Sequence, residues 1–314
     1  MKKIINKYLA EGQFSTDWLA FFRIAVAVFA LLHFLSIQPD FNQIFSYGGF
    51  VQPDILDAMQ GGTVATLVDI HSWLVKIFPS LSYDTVLQFA RFFYILSLLF
   101  LAFGLFTRVA AVGSLLTQLV LINSIHYFQY GADSFTTILL FYCLAFPTGK
   151  VLSLDNRFFR KGRTIKVESN TVCLRVLQLH LCIVYFIGGL DKLVGENWRN
   201  GEAFWKAVTS HNLLQLIDLS SWKNTSLFLI GGWGTVLVEL LYPIFIHIRR
   251  TRKLWLGLTI GMHIGIIVFL GLSFFATLMI LFNLAAYYVP YTKRKALPSL
   301  QNGSAPTIPA LAAG

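Results

Sequence analysis

The sequence has few charged residues for its length. Aspartate, glutamate, lysine and arginine make up 13% of the 314 residues, whereas hydrophobic residues make up 56%. The mean hydropathy is +0.64. In soluble domains, by contrast, about a quarter of the residues are charged. This shortage of charge excludes an ordinary water-soluble domain and predicts a protein embedded in a membrane.

Cysteine and the common motifs of soluble enzymes are scarce or missing as well. Cys143, Cys173 and Cys182 all fall within apolar segments, and no Cys-x-x-Cys pair is present. This pattern excludes a cysteine zinc site and a framework of disulfides. The sequence has no Gly-rich phosphate loop, no Gly-x-Ser-x-Gly elbow and no His-Glu-x-x-His helix. Neither a metal nor a nucleotide is predicted as a cofactor.

Long apolar runs are what the sequence has in abundance. A helix needs about 20 residues to cross roughly 30 Å of hydrocarbon. The runs that are long enough are 18–37, 85–106, 109–128, 172–194, 225–248 and 254–272. Two shorter runs, 134–148 and 274–290, each separate a polar stretch from a basic one and are counted as spans too. The predicted fold is an all-α, polytopic membrane helical bundle of about eight transmembrane helices.

The bundle is expected to form a single domain over 18–290. A cytoplasmic segment, 1–17, precedes it, and a cytoplasmic tail, 291–314, follows it. The tail is rich in proline, glycine, serine and alanine and is predicted to be disordered. Two outer connections contain amphipathic stretches, 63–78 and 203–217, which either lie along the membrane surface or pack on the bundle.

The distribution of basic residues predicts the orientation. The formal net charge is +10, and most of the 25 lysines and arginines fall in segments that an eight-span chain with a cytoplasmic N-terminus keeps inside. These residues are Lys2, Lys3, Lys7, Arg108, Lys150, Arg157, Arg160, Lys161, Arg163, Lys166, Arg249, Arg250, Arg252, Lys253, Lys293, Arg294 and Lys295. Both termini are therefore predicted to be cytoplasmic. Because the charges lie beside apolar runs, the expected partner is a lipid bilayer and not a nucleic acid.

Several ionisable residues fall inside the predicted spans, namely Arg23, Arg91, Arg175, Asp191, Lys192 and Glu239. Burying such groups costs several kcal/mol unless they are paired or hydrated. Arg23 and Arg175 lie near the inner ends of their spans and are expected to reach the cytoplasmic headgroups. Glu239, shortly before the helix-kinking Pro243, is expected to pair with one of these two arginines.

Lys192 is the most informative of these residues. It lies near the outer end of a span, after Gly188 and Gly189. A lysine in apolar surroundings can act as a base near neutral pH. Alternatively, its side chain extends to the outer headgroups or pairs with Glu196 one turn on. Asp133, on the same outer side, either caps a helix or is the partner that prepares Lys192 for catalysis.

His263 is a second candidate for a site. It lies midway along its span between Gly261 and Gly265, small residues that let a neighbouring helix or a ligand approach. A structural histidine and a site residue remain open as interpretations. The topology directs further polar residues toward the outer leaflet, among them His33, Arg91, His126 and Asp133.

One segment carries a resemblance to a known family. Residues 183–193 read Ile-Val-Tyr-Phe-Ile-Gly-Gly-Leu-Asp-Lys-Leu, preceded by Leu174-Arg175 and followed by Trp198 and Gly201. Supporting pieces follow the same order at Phe22-Arg23-Ile24, Asp133-Ser134, Ser153-Leu154-Asp155, His263 and Phe274. Together they resemble the membrane core of the vitamin K-dependent gamma-carboxylase family. They also resemble its bacterial relatives, the horizontally transferred transmembrane (HTTM) domain proteins, which include maturation proteins of a sporulation-delaying toxin. The resemblance covers most of 15–290.

The resemblance implies a role for Lys192. In the carboxylase family the lysine at the matching position is the base toward vitamin K hydroquinone. A lipid quinol such as reduced vitamin K is therefore the implied cofactor, and the bacterial cytoplasmic (plasma) membrane is the implied location. The chain departs from the family pattern at Asp133, which stands where a histidine would align.

The leading hypothesis is an outward-facing membrane enzyme or peptide-maturation factor. In it, Lys192 and Asp133 are catalytic, and Arg91, Trp198 and His263 bind the substrate, a lipid-soluble quinol or an exported peptide. The alternative is a non-enzymatic membrane protein that binds, escorts or confers immunity to a peptide and uses its polar residues for packing alone. A transporter gains no support, because the sequence shows no internal repeat.

Overall fold

The computed structural model describes residues 14–60, 64–125, 128–159, 165–210, 214–217, 219, 221–222 and 225–292. Within these ranges the chain forms helices and their connections and no strand, so the predicted all-α class is confirmed there. The predictions for the N-terminal lysines, for His126 and for the tail from 293 onward fall outside the described residues.

The helices are numbered here in chain order. They are α1 (Asp17–Ser36), α2 (Phe41–Phe45), α3 (Pro53–Gln60), α4 (Leu67–Val75), α5 (Tyr83–Phe103), α6 (Thr107–Ser124), α7 (Gly131–Ala145), α8 (Leu154–Phe158), α9 (Val167–Val194), α10 (Glu196–Arg199), α11 (Glu202–Thr209), α12 (Thr225–Leu240), α13 (Tyr242–Phe245), α14 (Arg252–Gly265), α15 (Ser273–Tyr287) and α16 (Val289–Thr292). Short 3-10 turns lie at Gln38–Asp40 and Thr148–Lys150, and a π-helix, Ile266–Leu270, continues α14.

Five helical segments in the described part of the chain are long and apolar enough to cross a membrane. They are Asp17–Ser36, Tyr83–Phe103, Val167–Val194, Arg252–Leu270 and Ser273–Thr292. Shorter apolar helices occupy Gly131–Ala145 and Ser226–Leu240, and α6 has 18 residues. Helices thus occupy each of the eight predicted spans. The count of eight crossings remains a prediction, because length and composition establish five.

The predicted span 225–248 is broken into two helices. Helix α12 ends at Leu240, and the short α13 begins at Tyr242 with Pro243 in its first turn. Proline has no backbone N–H and cannot continue the hydrogen bonding of the preceding turn, which accounts for the break. The predicted kink at this position is present, and it places Glu239 at the end of α12.

Helix α1 lies at the centre of the bundle, in contact with α5, α7, α15 and α16. The large side chains Trp18, Phe22 and Phe29 are buried there together with small alanines, so the helix packs on several sides. Helix α9 packs mainly against α12 and α13, and α15 joins the two groups by contacting both α1 and α9.

The two amphipathic stretches pack on the bundle. Helix α4 lies against α5 and α6, and the Leu67 backbone N–H donates to the Ser124 hydroxyl at 2.8 Å. The Thr66 hydroxyl and the Asp69 carboxylate cap the start of α4 reciprocally. Helix α11 packs on α12. Helices α4 and α11 thus pack on the bundle, and a position of these stretches along the membrane surface stays a prediction.

Contacts between distant residues gather several basic segments at one end of the bundle. The Phe14 and Tyr291 rings lie 5.3 Å apart. The Arg175 guanidinium lies over Phe14 at 5.3 Å and that of Arg252 over Tyr291 at 4.0 Å. The start of α1, the first half of α9, the start of α14 and α16 are therefore neighbours, as the predicted topology requires. That this end faces the cytoplasm remains a prediction.

Arg23 does not extend to the headgroups, and that expectation is wrong. Its side chain is fully buried, and the guanidinium donates to the carbonyls of Thr148, Val151 and Leu152 at 2.7–3.0 Å. The loop after α7 folds back over α1 and presents carbonyls that no helix satisfies. A guanidinium has enough donors to bind all three of them, so Arg23 stabilises this loop.

We expect Arg23→Met to lower the free energy of unfolding by about 3 kcal/mol, because the carbonyls of the loop would be left buried without donors. Thermal unfolding of the purified protein in detergent measures the change. Arg157→Met is the matched control, since Arg157 is exposed and its guanidinium lies over the ring of Phe158. Equal loss of stability in the two variants would contradict the role assigned to Arg23.

The predicted orientation can be tested with single cysteines in a background in which the three native cysteines are replaced by alanine. Ser72→Cys, on the exposed side of α4, should react with a membrane-impermeant maleimide on intact cells. Arg250→Cys, at the exposed basic end, should react only after the membrane is permeabilised. The reverse labelling pattern would show that the bundle is inserted the other way round.

Candidate functional site

The candidate base lies where two helices come into backbone contact. Lys192 is in the last turn of the 28-residue helix α9, one turn after Gly188 and Gly189. A Cβ atom on Gly189 would lie only 2.5 Å from the Leu240 nitrogen, so a glycine is required for this approach of α9 to α12. The contact brings Glu239, the residue before Leu240, opposite Lys192.

Lys192 and Glu239 form an ion pair. The Lys192 Nζ donates to Glu239 Oε2 at 2.7 Å and lies 3.4 Å from the Gly188 carbonyl oxygen. The two side chains are 21% and 11% exposed, so the pair is largely shielded and yet reachable. The expected pairing of Glu239 with Arg23 or Arg175 is therefore wrong. Lys192 likewise has a partner other than Glu196 or Asp133.

Trp198 completes the surroundings of the lysine. Its ring lies 5.3 Å from Lys192 Nζ, within the range of a cation–π contact. The segment that carries Trp198 packs closely on α12, because a Cβ on Gly232 would lie 2.8 Å from the Trp198 carbonyl oxygen. The structure thus places Trp198, one of the predicted substrate-binding residues, beside Lys192. Its role toward a substrate stays a prediction.

His263 is part of a buried polar network. Its Nε2 lies 2.8 Å from the Tyr185 hydroxyl, which accepts from the Asn283 amide at 2.7 Å. The Tyr242 hydroxyl donates to the Asn283 carbonyl oxygen at 2.7 Å. His263 Nδ1 is buried and has no hydrogen-bond partner among the described residues. The Lys192 ammonium is close enough to interact electrostatically with the His263 ring.

Of the residues in this network, only His263 is predicted from the sequence as a site residue. Tyr185 belongs to the segment that carries the family resemblance, but its sequence neighbours give no sign of its partners. Asn283 offers a clearer signal, because it is an isolated amide in a long apolar run. A buried amide needs hydrogen-bond partners, so this position could have been identified as part of a polar cluster.

The helix that carries His263 changes its winding directly after it. Residues Ile266–Leu270 form a π-helix, and the Val268 carbonyl accepts from the backbone N–H groups of Leu216 and Ile217 at 2.8 and 3.2 Å. The carbonyls of a π-helical turn point in other directions than those of an α-helix. Such turns are frequent at functional sites. Here the π-helix ties the connection 214–217 to the helix that bears His263.

Asp133 contacts His33 rather than Lys192. The His33 Nδ1 lies 3.8 Å from Asp133 Oδ1, and the Tyr130 backbone N–H donates to Asp133 Oδ2 at 3.1 Å. Asp133 is the third residue of α7, and its carboxylate caps the backbone N–H of Tyr130, the N-cap residue. Asp133 is therefore not the N-cap itself. Its assignment as a catalytic residue stays a prediction without a contact to Lys192.

Two consecutive phenylalanines at the start of α15 contact His33 and His263. The Phe274 ring lies 4.7 Å from the His33 ring, and the Phe275 ring lies 6.1 Å from the His263 ring. Phe275 also closes against Gly131, where a Cβ would lie 3.0 Å from the phenylalanine ring. His33 and His263 are thus in contact with adjacent side chains at the start of α15.

Arg91 lies in another part of the bundle. Its guanidinium is placed over the Phe41 ring at 5.0 Å and lies 3.4 Å from the Gln88 amide oxygen. No contact joins Arg91 to Lys192 or His263 within the described ranges. The predicted role of Arg91 in substrate binding remains untested.

The arrangement at Lys192 provides a proton donor and a proton acceptor next to an aromatic ring, inside the apolar part of the molecule. In the described part of the chain no group of three or more histidine, cysteine, aspartate or glutamate side chains could hold a metal ion. The residues that are present suit acid–base chemistry or the binding of a polar group within the membrane.

The fold and the site define a polytopic helical membrane protein with an ion pair buried between two of its helices. A family model, the HTTM domain, matches residues 44–289, which is more than half of the 314 residues. The chain therefore belongs to the HTTM domain family, and the resemblance found in the sequence is confirmed at this level. No curated protein and no solved structure matches the chain.

The closeness of α9 and α12 leads to a direct test. We expect Gly189→Ala to lower the free energy of unfolding by about 1–3 kcal/mol, because the added methyl group would collide with backbone and force the helices apart. Gly234→Ala on α12 is the control, since a Cβ there meets nothing within 4 Å and alanine favours a helix. Thermal unfolding in detergent compares the two variants. Similar stability of both would show that the contact is not tight.

Proposed function

We propose that this chain is an outward-facing membrane enzyme or peptide-maturation factor in which Lys192 acts as a base on a lipid-soluble quinol or an exported peptide. The observation that carries the proposal is the Lys192–Glu239 ion pair, 2.7 Å apart and shielded between α9 and α12. Ionisable groups inside a membrane are costly and are usually retained for a functional reason.

Glu239 supplies what a lysine base needs. A protonated lysine must give up a proton before it can accept one from a substrate. Glu239 Oε2 is in direct hydrogen-bond contact and can take that proton, which leaves a neutral amine and a carboxylic acid. The amine then accepts the proton of a substrate O–H group. The products of this step are an ammonium group and an adjacent oxyanion, whose charge the ammonium stabilises.

Two features of the site support a lipid-soluble aromatic ligand. Trp198 presents its ring to the lysine, and a flat quinol ring would pack well against it. The partial exposure of Lys192 allows a molecule dissolved in the membrane to reach the amine without passing through the bundle. The resemblance to the carboxylase family adds reduced vitamin K as the implied quinol and the bacterial cytoplasmic membrane as the implied location.

Lys192→Arg is the sharpest test of a base. Arginine keeps the positive charge and can keep the ion pair with Glu239, but it does not release its proton. We expect oxidation of a reduced naphthoquinone by dissolved oxygen, catalysed by the full-length protein in proteoliposomes, to fall at least 100-fold, because a general base usually contributes about 10²–10⁴. Chromatography of the quinol and mass spectrometry of an added peptide measure the products.

Arg175→Lys serves as the matched control, because it exchanges the same two residue types at the opposite end of α9. The control should retain activity, and both variants should unfold within a few degrees of the original protein. Full activity of Lys192→Arg would refute the role of Lys192 as a base.

The second candidate is a non-enzymatic protein that binds, escorts or confers immunity to a peptide. One observation favours it: the Lys192–Glu239 pair satisfies its own charges and joins α9 to α12, so packing alone could account for it. In that case both Lys192→Arg and the neutral double variant Lys192→Gln/Glu239→Gln would retain peptide binding. The same two variants therefore distinguish the two candidates.

A further inference from the structure

A cavity of about 230 Å³ lies between the start of α6 and the loop that joins α7 to α8. Phe146 in its lining packs on Trp18, with the ring centroids 6.0 Å apart. The Trp18 ring N–H donates at 2.8 Å to the side-chain oxygen of Asn170, near the start of α9, whereas Lys192 is in the last turn of that helix. At a rise of about 1.5 Å per residue, Asn170 and Lys192 are roughly 30 Å apart along α9. The cavity is therefore separate from the site at Lys192.

Two cations line this cavity from different parts of the chain. Arg108 lies in the first turn of α6 and is exposed, and Lys150 ends the 3-10 turn after α7 and is half-buried. The two segments touch, because a Cβ on Gly149 would lie 2.7 Å from the hydroxyl oxygen of Thr107. No carboxylate of the described residues forms an ion pair with either cation. Both positive charges are therefore available to an anion.

Asp155, an acidic residue of the lining, is engaged by the protein itself. Its Oδ1 accepts from the Phe106 backbone N–H at 2.7 Å, and its Oδ2 accepts from the backbone N–H and the hydroxyl of Thr107 at 2.8 and 2.7 Å. These bonds place the carboxylate at the start of α6, where the helix dipole offsets part of its charge. Asp155 thus fixes the start of α6, and the cavity keeps an excess of positive charge.

Two phenylalanines give the cavity an apolar wall. The rings of Phe106 and Phe159, which both line it, stack with their centroids 5.7 Å apart. The two side chains are 54% and 63% exposed. Phe106 has a φ of 45°, in the left-handed region that residues other than glycine rarely adopt, and Asp155 holds its N–H there. Large exposed apolar side chains next to cations are typical of a surface that contacts a membrane.

We propose that this cavity binds an anionic phospholipid from the leaflet at this end of the bundle. The phosphodiester lies between Arg108 and Lys150, and the upper part of an acyl chain packs against Phe106 and Phe159. A guanidinium can bind two phosphate oxygens at once, and basic pockets between membrane helices bind the headgroups of anionic lipids. This inference does not depend on the function proposed for Lys192.

The same charges predict which phospholipids are rejected. Ethanolamine and choline headgroups carry the same phosphodiester but add a positive charge. That charge would lie close to Arg108 and Lys150, and repulsion between like charges is an effective source of specificity. The site should therefore distinguish lipids by the net charge of their headgroups.

The test compares dioctanoyl phosphatidylglycerol with dioctanoyl phosphatidylethanolamine, which have the same acyl chains and phosphodiester and differ in net charge. The full-length protein in an uncharged detergent is titrated with each lipid, and native mass spectrometry measures the number of lipids bound per chain. We expect saturable binding of phosphatidylglycerol, with phosphatidylethanolamine about fivefold weaker or more. Equal affinity for the two lipids would overturn the proposal.

Two double variants locate the headgroup. Arg108→Gln/Lys150→Gln should weaken phosphatidylglycerol about 20-fold, since each cation next to an anionic lipid contributes roughly a factor of five. Arg249→Gln/Arg250→Gln is the matched control, because it removes two exposed cations that do not line the cavity, and it should bind as the original does. An equal loss in the control would show that the lipid responds only to the overall positive charge and would refute the site.

Neighbouring phenylalanines test the apolar wall. Phe158 and Phe159 are both 63% exposed, but Phe159 lines the cavity and Phe158 does not. We expect Phe159→Ala to weaken phosphatidylglycerol about fivefold and Phe158→Ala to leave its affinity unchanged, because the lost contact area belongs to Phe159 alone. Equal affinities of the two variants would contradict the placement of the acyl chain.

Inorganic phosphate and glycerol 3-phosphate distinguish a lipid from a soluble ligand. Neither should displace phosphatidylglycerol, even in large molar excess at constant ionic strength, and displacement by either would overturn the assignment to a lipid. If the double variant unfolds at a lower temperature because the loop around Lys150 shifts, Arg108→Gln alone decides, since Arg108 is exposed. Undiminished binding in that single variant would refute the cavity as the site.

Discussion

A charged or polar group inside this bundle has to find its partner within the protein, since the surrounding hydrocarbon supplies none. The pair formed by Lys192 and Glu239 shows how far this requirement determines the rest of the structure. It needs α9 and α12 in backbone contact, which in turn needs glycine at position 189. It also needs α12 to end before Pro243, so that Glu239 lies at the level of the last turn of α9.

Two buried cations meet the same requirement in different ways. Arg23 binds three backbone carbonyls of a loop, and no carboxylate of the described residues is hydrogen-bonded to it; this arrangement suits a guanidinium with its many directed donors. Lys192 binds one carboxylate and stays partly exposed. The first arrangement is fully buried and stabilises the fold. The second leaves one side of the ammonium accessible, as a reacting group requires.

The positions of the helices could be predicted because hydrophobic length is a property of each segment alone. The partners of the charged residues could not, because they depend on how each helix is rotated and on contacts between residues far apart in sequence. Glu239 lies 47 residues from Lys192, and nothing near either residue specifies the other. The carbonyls that bind Arg23 likewise belong to a loop more than a hundred residues away, so the sequence around Arg23 gives no sign of them. The resemblance identified the segment of Lys192 but not the partners of Tyr185 or His263.

The consecutive residues Phe274 and Phe275 couple the surroundings of His33 to those of His263. Neighbouring residues on a helix point about 100° apart, so the first turn of α15 directs one ring to His33 and the other to His263. A small rotation of α15 about its own axis would move both rings together, in a fixed relation. A molecule that pushes Phe274 aside next to His33 would therefore shift Phe275 next to His263. The start of α15 therefore links the surroundings of His33 with those of His263.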